Sequence, residues 1–253
     1  MILLIAGMHR SGTSLFARFC HDSGIDMGRE LYQERITNPH GHYEDLEFLA
    51  LHRRELRRLG PGVTSLYPGE EFFVTRDFTP SPAFREEAAA LLARRREAAA
   101  GAPWGWKDPR STLFLETWAG LEGEIRVVAL VRPPEPVVNS LCRRLRGYFS
   151  RRRKGLFLET YTHYNRKVLD FNRARPDRIR ILLLEELVAR PDAVLAGLAS
   201  FLGATFDAGL FREQFDPALL TRPRPALLWF NRGELARARS IYAELEQAHA
   251  GGD

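Results

Sequence analysis

Cysteine and lysine are the scarce residues of this chain. Only two of its 253 residues are cysteine, Cys20 and Cys142, which excludes a disulfide framework and a multi-cysteine metal cluster as the basis of the fold. Lysine occurs three times, at Lys107, Lys154 and Lys167, so all but three of the 37 Lys and Arg residues are arginine. Such a bias follows from genome composition, but the rarity makes each lysine worth placing. Long apolar runs are also missing. None approaches the roughly 20 residues of a membrane span, and Met1–Ala6 is too short, and lacks the basic lead, to be a signal peptide. A cytoplasmic location is therefore expected. No internal repeat occurs, and the one biased stretch, the Ala/Arg/Glu run around residues 86 to 100, reads as an exposed helix.

What is present describes an ordinary globular chain: 45% hydrophobic, 27% charged, formal net charge +5. The length suits a single domain over 1–253. Nearly continuous apolar runs at 1–6, 125–131 and 179–184, with a shorter one at 104–107, read as strands covered on both faces. Helical periodicity falls at 13–23, 44–59, 82–99, 111–119, 135–146, 157–174, 189–202 and 232–248. Strands alternating with helices predict a three-layer α/β sandwich with a central parallel sheet. Ligands in such folds gather at the carboxyl ends of the strands, where this chain puts Gly7, Lys107-Asp108-Pro109-Arg110, Arg132 and Glu185-Glu186.

The first of these exits is the most informative. Gly7-Met8-His9-Arg10-Ser11-Gly12-Thr13-Ser14 matches the phosphate-loop pattern G-x-x-x-x-G-K-[ST] everywhere except at the lysine. Converging backbone N–H groups and a helix N-terminus would still favour an anion here. The residue that serves nucleoside triphosphate chemistry is absent; Thr13 holds its position and the cation has moved into the loop as Arg10. Such a loop suits a singly anchored, less charged group that needs no metal to neutralise it. A second phosphate-sized candidate is Arg132, at a strand exit, with Ser140 one or two turns into the following helix, both able to face one phosphate. An arginine capping a strand beside a surface serine is the plainer alternative.

Arg10-Ser11-Gly12-Thr13-Ser14 and the Arg132/Ser140 pair resemble the phosphosulfate loop and the 3′-phosphate site of sulfotransferases that use 3′-phosphoadenosine 5′-phosphosulfate (PAPS). Asn38-Pro39-His40-Gly41-His42-Tyr43-Glu44-Asp45, Gly105-Trp106-Lys107-Asp108-Pro109-Arg110, and Leu184-Glu185-Glu186-Leu187 with Arg190-Pro191 and Phe201-Leu202-Gly203 are similar to further segments of that family. Pro134 and Glu186 depart from it, and the part beyond about 204 is only generically similar, a region for a lid or for acceptor contacts.

The resemblance implies a P-loop-like fold and metal-independent transfer of a sulfuryl group to a hydroxyl or amine of a small molecule or glycan, with no specific nucleic acid partner. His9, Arg10, Ser11, Gly12, Thr13, Ser14, Arg132 and Ser140 would bind the donor. Arg10, Lys107 and Glu44 would carry the chemistry, Glu44 as base. Glu44 and Asp45 also stand where acids stabilise a helix start, His40 and His42 compete for the base role, and Lys107 could instead pair structurally with Asp108 or another carboxylate. The basic block Arg143-Arg144-Leu145-Arg146 with Arg151-Arg152-Arg153-Lys154 reads as a solvated face or an attraction for an anionic acceptor. Trp229-Phe230 reads as a lid or as core packing. An atypical P-loop kinase and an inactive scaffold of the same fold remain as alternatives.

Overall fold

The computed structural model describes residues 1–32, 41–60, 72–144, 151–215, 220 and 225–251. Asn38, Pro39 and His40 of the family-like segment lie outside them, as do Leu145 and Arg146 of the basic block.

Four strands form one parallel sheet: β1 (Ile2–Ala6), β2 (Trp104–Lys107), β3 (Ile125–Val131) and β4 (Ile179–Leu183), in the order β2-β1-β3-β4. β1 pairs with β2 from Ile2 opposite Trp104 and with β3 from Ile2 opposite Ile125. The chain leaves β1 toward one edge and returns to the other side at β3, so the crevice beyond β1 and β3 is the topological switch point. Side chains alternate along each strand. Ile2, Leu4, Ala6, Val127, Ala129 and Val131 join one core cluster; Leu3, Ile5, Val128 and Leu130 join another on the opposite face. Both faces are covered, which is why the strands read as unbroken apolar runs.

The helices are α1 (Thr13–Asp22), α2 (Leu46–Arg58), α3 (Pro82–Ala99), α4 (Leu115–Leu121), α5 (Pro134–Arg144), α6 (Arg151–Ala174), α7 (Leu184–Ala189), α8 (Pro191–Leu202), α9 (Ala208–Gln214) and α10 (Arg232–Ala250). Single 3-10 segments run over Pro109–Phe114 and Pro225–Asn231. The helices depart from the sequence reading at several places. α2 starts at Leu46 because Asp45 is its N-cap, accepting from Glu47 N at 2.9 Å. α6 runs from Arg151, six residues before the expected 157, and passes through Gly155, where a side chain would approach Asn231 Nδ2 at 3.2 Å. α9 was not expected; Asp207 caps it, accepting from Gly209 N at 2.7 Å. No helix among the described residues is long and apolar enough to cross a membrane.

Candidate active site

The glycine loop is built by close approach. Gly7 has φ 122°, and a Cβ there would sit 2.2 Å from the carbonyl oxygen of Leu130, so only glycine lets the end of β1 lie against β3. Gly12, at φ 91°, is the N-cap of α1 and offers no side chain to its first amides, leaving the helix start open to an anion. Between them Arg10 takes φ 74°, a conformation that costs a non-glycine residue free energy and that concentrates at ligand sites.

That strained backbone aims the Arg10 side chain across the crevice. Its Nε donates to Ser140 Oγ at 2.8 Å, linking the loop to the middle of α5 over 130 residues of sequence. Arg10, Thr13, Ser14, Arg132 and Ser140 then line one cavity, closed on a further side by Gln214 and Phe215 from the end of α9. Arg132, buried, donates from Nε to Glu185 Oε1 at 3.2 Å. Burial, then the charges of Arg144, Arg143 and Arg132, push the Arg10 guanidinium down to about 10. Cations crowded against one another in a half-open cavity raise the local potential for an anion.

A second set converges on Lys107 at the end of β2. Its ammonium is buried and spends its three donors on Glu44 Oε1 at 2.8 Å, Ser14 Oγ at 3.1 Å and the carbonyl of His42 at 3.1 Å. Burial lowers the Lys107 pKa, with the neighbouring Glu44 opposing. The other Glu44 oxygen stands 3.7 Å from Arg110 Nη1. Arg110 in turn pairs with Asp108 at 2.9 Å, and Asp108 accepts from His52 Nδ1 at 2.9 Å. Trp118 Nε1 donates to His52 Nε2 at 3.3 Å, which leaves the ring proton on Nδ1 facing the carboxylate. Burial favours protonation of Asp108, but Arg110 and then His52 outweigh it and hold the carboxyl far below its ordinary value.

Of the two acids, Asp45 caps α2, and Glu44 turns inward to Lys107. Glu44 also lines a second cavity of about 150 Å³, with His9, Phe72, Arg53, Arg110 and Arg144. The structure puts the His9 side chain here and not among the residues lining the first cavity; its ring stacks on Phe72 with centroids 4.1 Å apart. Lys107 thus joins the two cavities, holding Ser14 of one and Glu44 of the other. Ser11 is buried in the loop, its amide bonded to Met8 O at 3.2 Å. His42 is buried with its backbone carbonyl on Lys107, and its ring tilts against Tyr32. Asp108, expected as a possible partner of Lys107, pairs instead with Arg110 and His52, while Lys107 takes Glu44; Arg110 and His52 had no role in the sequence reading, and the run Lys107-Asp108-Pro109-Arg110 at a strand exit was the signal that could have recruited Arg110.

A parallel α/β sheet whose glycine loop opens a cationic cavity at the switch point defines a P-loop-like α/β fold. Within that class the chain belongs to the Sulfotransferase family, whose profile matches residues 3–208. Among solved structures, the sulfotransferase domain of the Synechococcus PCC 7002 olefin synthase is 20% identical with a TM-score of 0.56, covering 99% of this chain and 93% of that one. The sulfotransferase domain of the curacin biosynthetic pathway is 18% identical at TM-score 0.55, covering 99% and 96%. A sulfotransferase from Alicyclobacillus acidocaldarius is 15% identical at 0.56, covering 98% and 95%. A search of curated protein sequences found no match.

Proposed function

We propose that this chain transfers a sulfuryl group from PAPS to a hydroxyl or amine of a small-molecule or glycan acceptor, without a metal ion. The observation that carries the reading is the 2.8 Å bond from Arg10 to Ser140, which joins the loop and the Arg132/Ser140 pair in a single cavity. A donor with phosphates at both 5′ and 3′ positions needs two such anion sites, and a nucleoside triphosphate has no group for the second.

The residues present fit that donor. The cavity is cationic, its glycine cradle excludes a Cβ at Gly7, and the start of α1 carries no side-chain cap. Arg10, the amides of Gly12, Thr13 and Ser14, and the Thr13 and Ser14 hydroxyls would hold the 5′ end, the Ser11 amide being taken by Met8 O at 3.2 Å; Arg132 and Ser140 would hold the 3′-phosphate. When bound, PAPS supplies the sulfuryl group and a phosphate leaving group. His9 takes part through its place in the loop backbone, while its ring belongs to the neighbouring cavity.

Glu44 acts as base because it borders the second cavity, from which a hydroxyl can present its proton. Lys107 fixes that carboxylate at 2.8 Å and sets a positive charge between the cavities, where negative charge grows during transfer. Arg10 adds positive charge on the donor side. The test is transfer of labelled sulfate from PAPS into a panel of alcohols, phenols, amines and saccharides with chelator present. Incorporation that is lost in Glu44→Gln supports the reading; a Glu44→Gln variant with near-normal turnover removes Glu44 as base, and no incorporation into any acceptor removes the activity.

A further inference from the structure

The second cavity has a composition that narrows what can enter it. Its walls include three guanidinium groups, Arg53, Arg110 and Arg144, against one carboxylate, Glu44, which already faces Lys107 at 2.8 Å. Arg110 is 7% exposed and held in place through Nη1 by Asp108, and its Nε has no hydrogen-bond partner among the described residues. His9 is 5% exposed, and neither of its ring nitrogens has such a partner. A buried imidazole with both nitrogens unsatisfied is costly unless a ligand group completes it. Burial, followed by the charge of Arg110, lowers the His9 pKa, so the ring is neutral at pH 7 and offers one donor and one acceptor.

The remaining walls are Phe72 and Leu49 on one hand and the rings of Tyr32 and His42 on the other. His9 stacks on Phe72 at 4.1 Å with an interplanar angle of 26°, Arg110 lies 5.9 Å from the Phe72 ring centre, and Leu49 adds an aliphatic patch. A volume of about 150 Å³ is of the order that takes a single six-membered ring. Cations, a ring-sized apolar face, an unsatisfied neutral histidine and a base stand together.

The geometry points to an acceptor of one class: a ring-sized hydroxyl compound that carries an oxyanion, a carboxylate or phosphate, within one ring's breadth of the hydroxyl that receives the sulfuryl group. The oxyanion is held by Arg110 and Arg144 with Arg53, the ring lies against His9 and Phe72, and the hydroxyl faces Glu44. This inference rests on the sulfotransfer reading for its acceptor role, but the binding preference belongs to the cavity alone. Arg144 also acts on Arg10, so the anion would further offset the repulsion among the arginines of the donor cavity.

Two matched pairs test it by calorimetry: phenol against 3-hydroxybenzoate, and glucose against glucuronate. Each is titrated into the full chain with and without 3′-phosphoadenosine 5′-phosphate (PAP), and labelled transfer into the same four compounds follows. The expected result is at least about 10-fold tighter binding of the anionic member of one pair, with Arg53→Gln and Arg144→Gln each removing about threefold or more of that preference. A response in the phenol pair identifies an aromatic acceptor, and one in the glucose pair a saccharide. Equal binding within both pairs, or no binding by any of the four, overturns the inference. A failure of the donor reading shows separately, as absence of PAP binding in a protein whose preference between the pairs is still measured.

Discussion

At the scale of single residues, Glu44 and Lys107 make one unit, and their variants should differ in kind. Glu44→Gln keeps the shape but cannot accept a proton; kcat should fall by about 10²–10⁴-fold while PAP affinity, measured calorimetrically, changes less than about threefold. Lys107→Met removes the charge that stands between the cavities, leaving Glu44 with Arg110 at 3.7 Å; kcat should fall about 10²–10³-fold, and the protein should also lose stability because a buried carboxylate loses its nearest cation. A Lys107→Met variant as active as the parent would reduce the pair to scaffolding. Asp108 carries a pH prediction. Its carboxyl is held far below the ordinary 3.8, so its stabilisation is complete above that pH and is lost as pH falls below it. Urea unfolding free energies should fall on acidification below about pH 4. In Asp108→Asn they should start about 3–5 kcal/mol lower and fall less steeply. Parallel pH curves for the two proteins would refute the assignment.

At the scale of elements, the glycine loop depends on β1 and β3 lying in contact. Gly7→Ala would drive a methyl group into the carbonyl of Leu130 at 2.2 Å from a backbone at φ 122°, and should cost more than about 2 kcal/mol. Gly197, inside α8, meets nothing within 4 Å; Gly197→Ala should raise stability by about 0.5–1 kcal/mol. Thermal melts of both variants decide it, and a Gly7→Ala variant as stable as the parent would contradict the described loop. These elements were readable from the sequence to differing degrees. The strands and the loop were legible because burial on both faces and a fixed turn chemistry leave local marks. The first turns of α6 were not, because the run Arg151-Arg152-Arg153-Lys154-Gly155 carries no apolar periodicity. Nor was the network of His52, Asp108 and Arg110, since it is assembled from α2 and the turn after β2, and no local pattern announces a contact between them. The motif residues were found; their division between two cavities, with His9 in the second and Lys107 joining both, exists only in three dimensions.

At the scale of the whole molecule, a lysine absent from the loop sequence is supplied in space. Lys107 reaches Ser14 from the neighbouring strand at 3.1 Å, but it arrives bound to Glu44, and on the proposed reading the Arg132/Ser140 side of the cavity would take the second anion. The parallel sheet makes this possible by delivering the ends of β1, β2 and β3 to one edge. What separates a PAPS site from a triphosphate site is therefore discrimination between ligands, and calorimetry with chelator present measures it directly. The account predicts PAP binding at least about 30-fold tighter than adenosine 5′-phosphate, a ratio that collapses in Arg132→Ala and needs no Mg²⁺. Equal affinity for PAP and adenosine 5′-phosphate, or tighter binding of ATP with Mg²⁺ than of PAP, would contradict it.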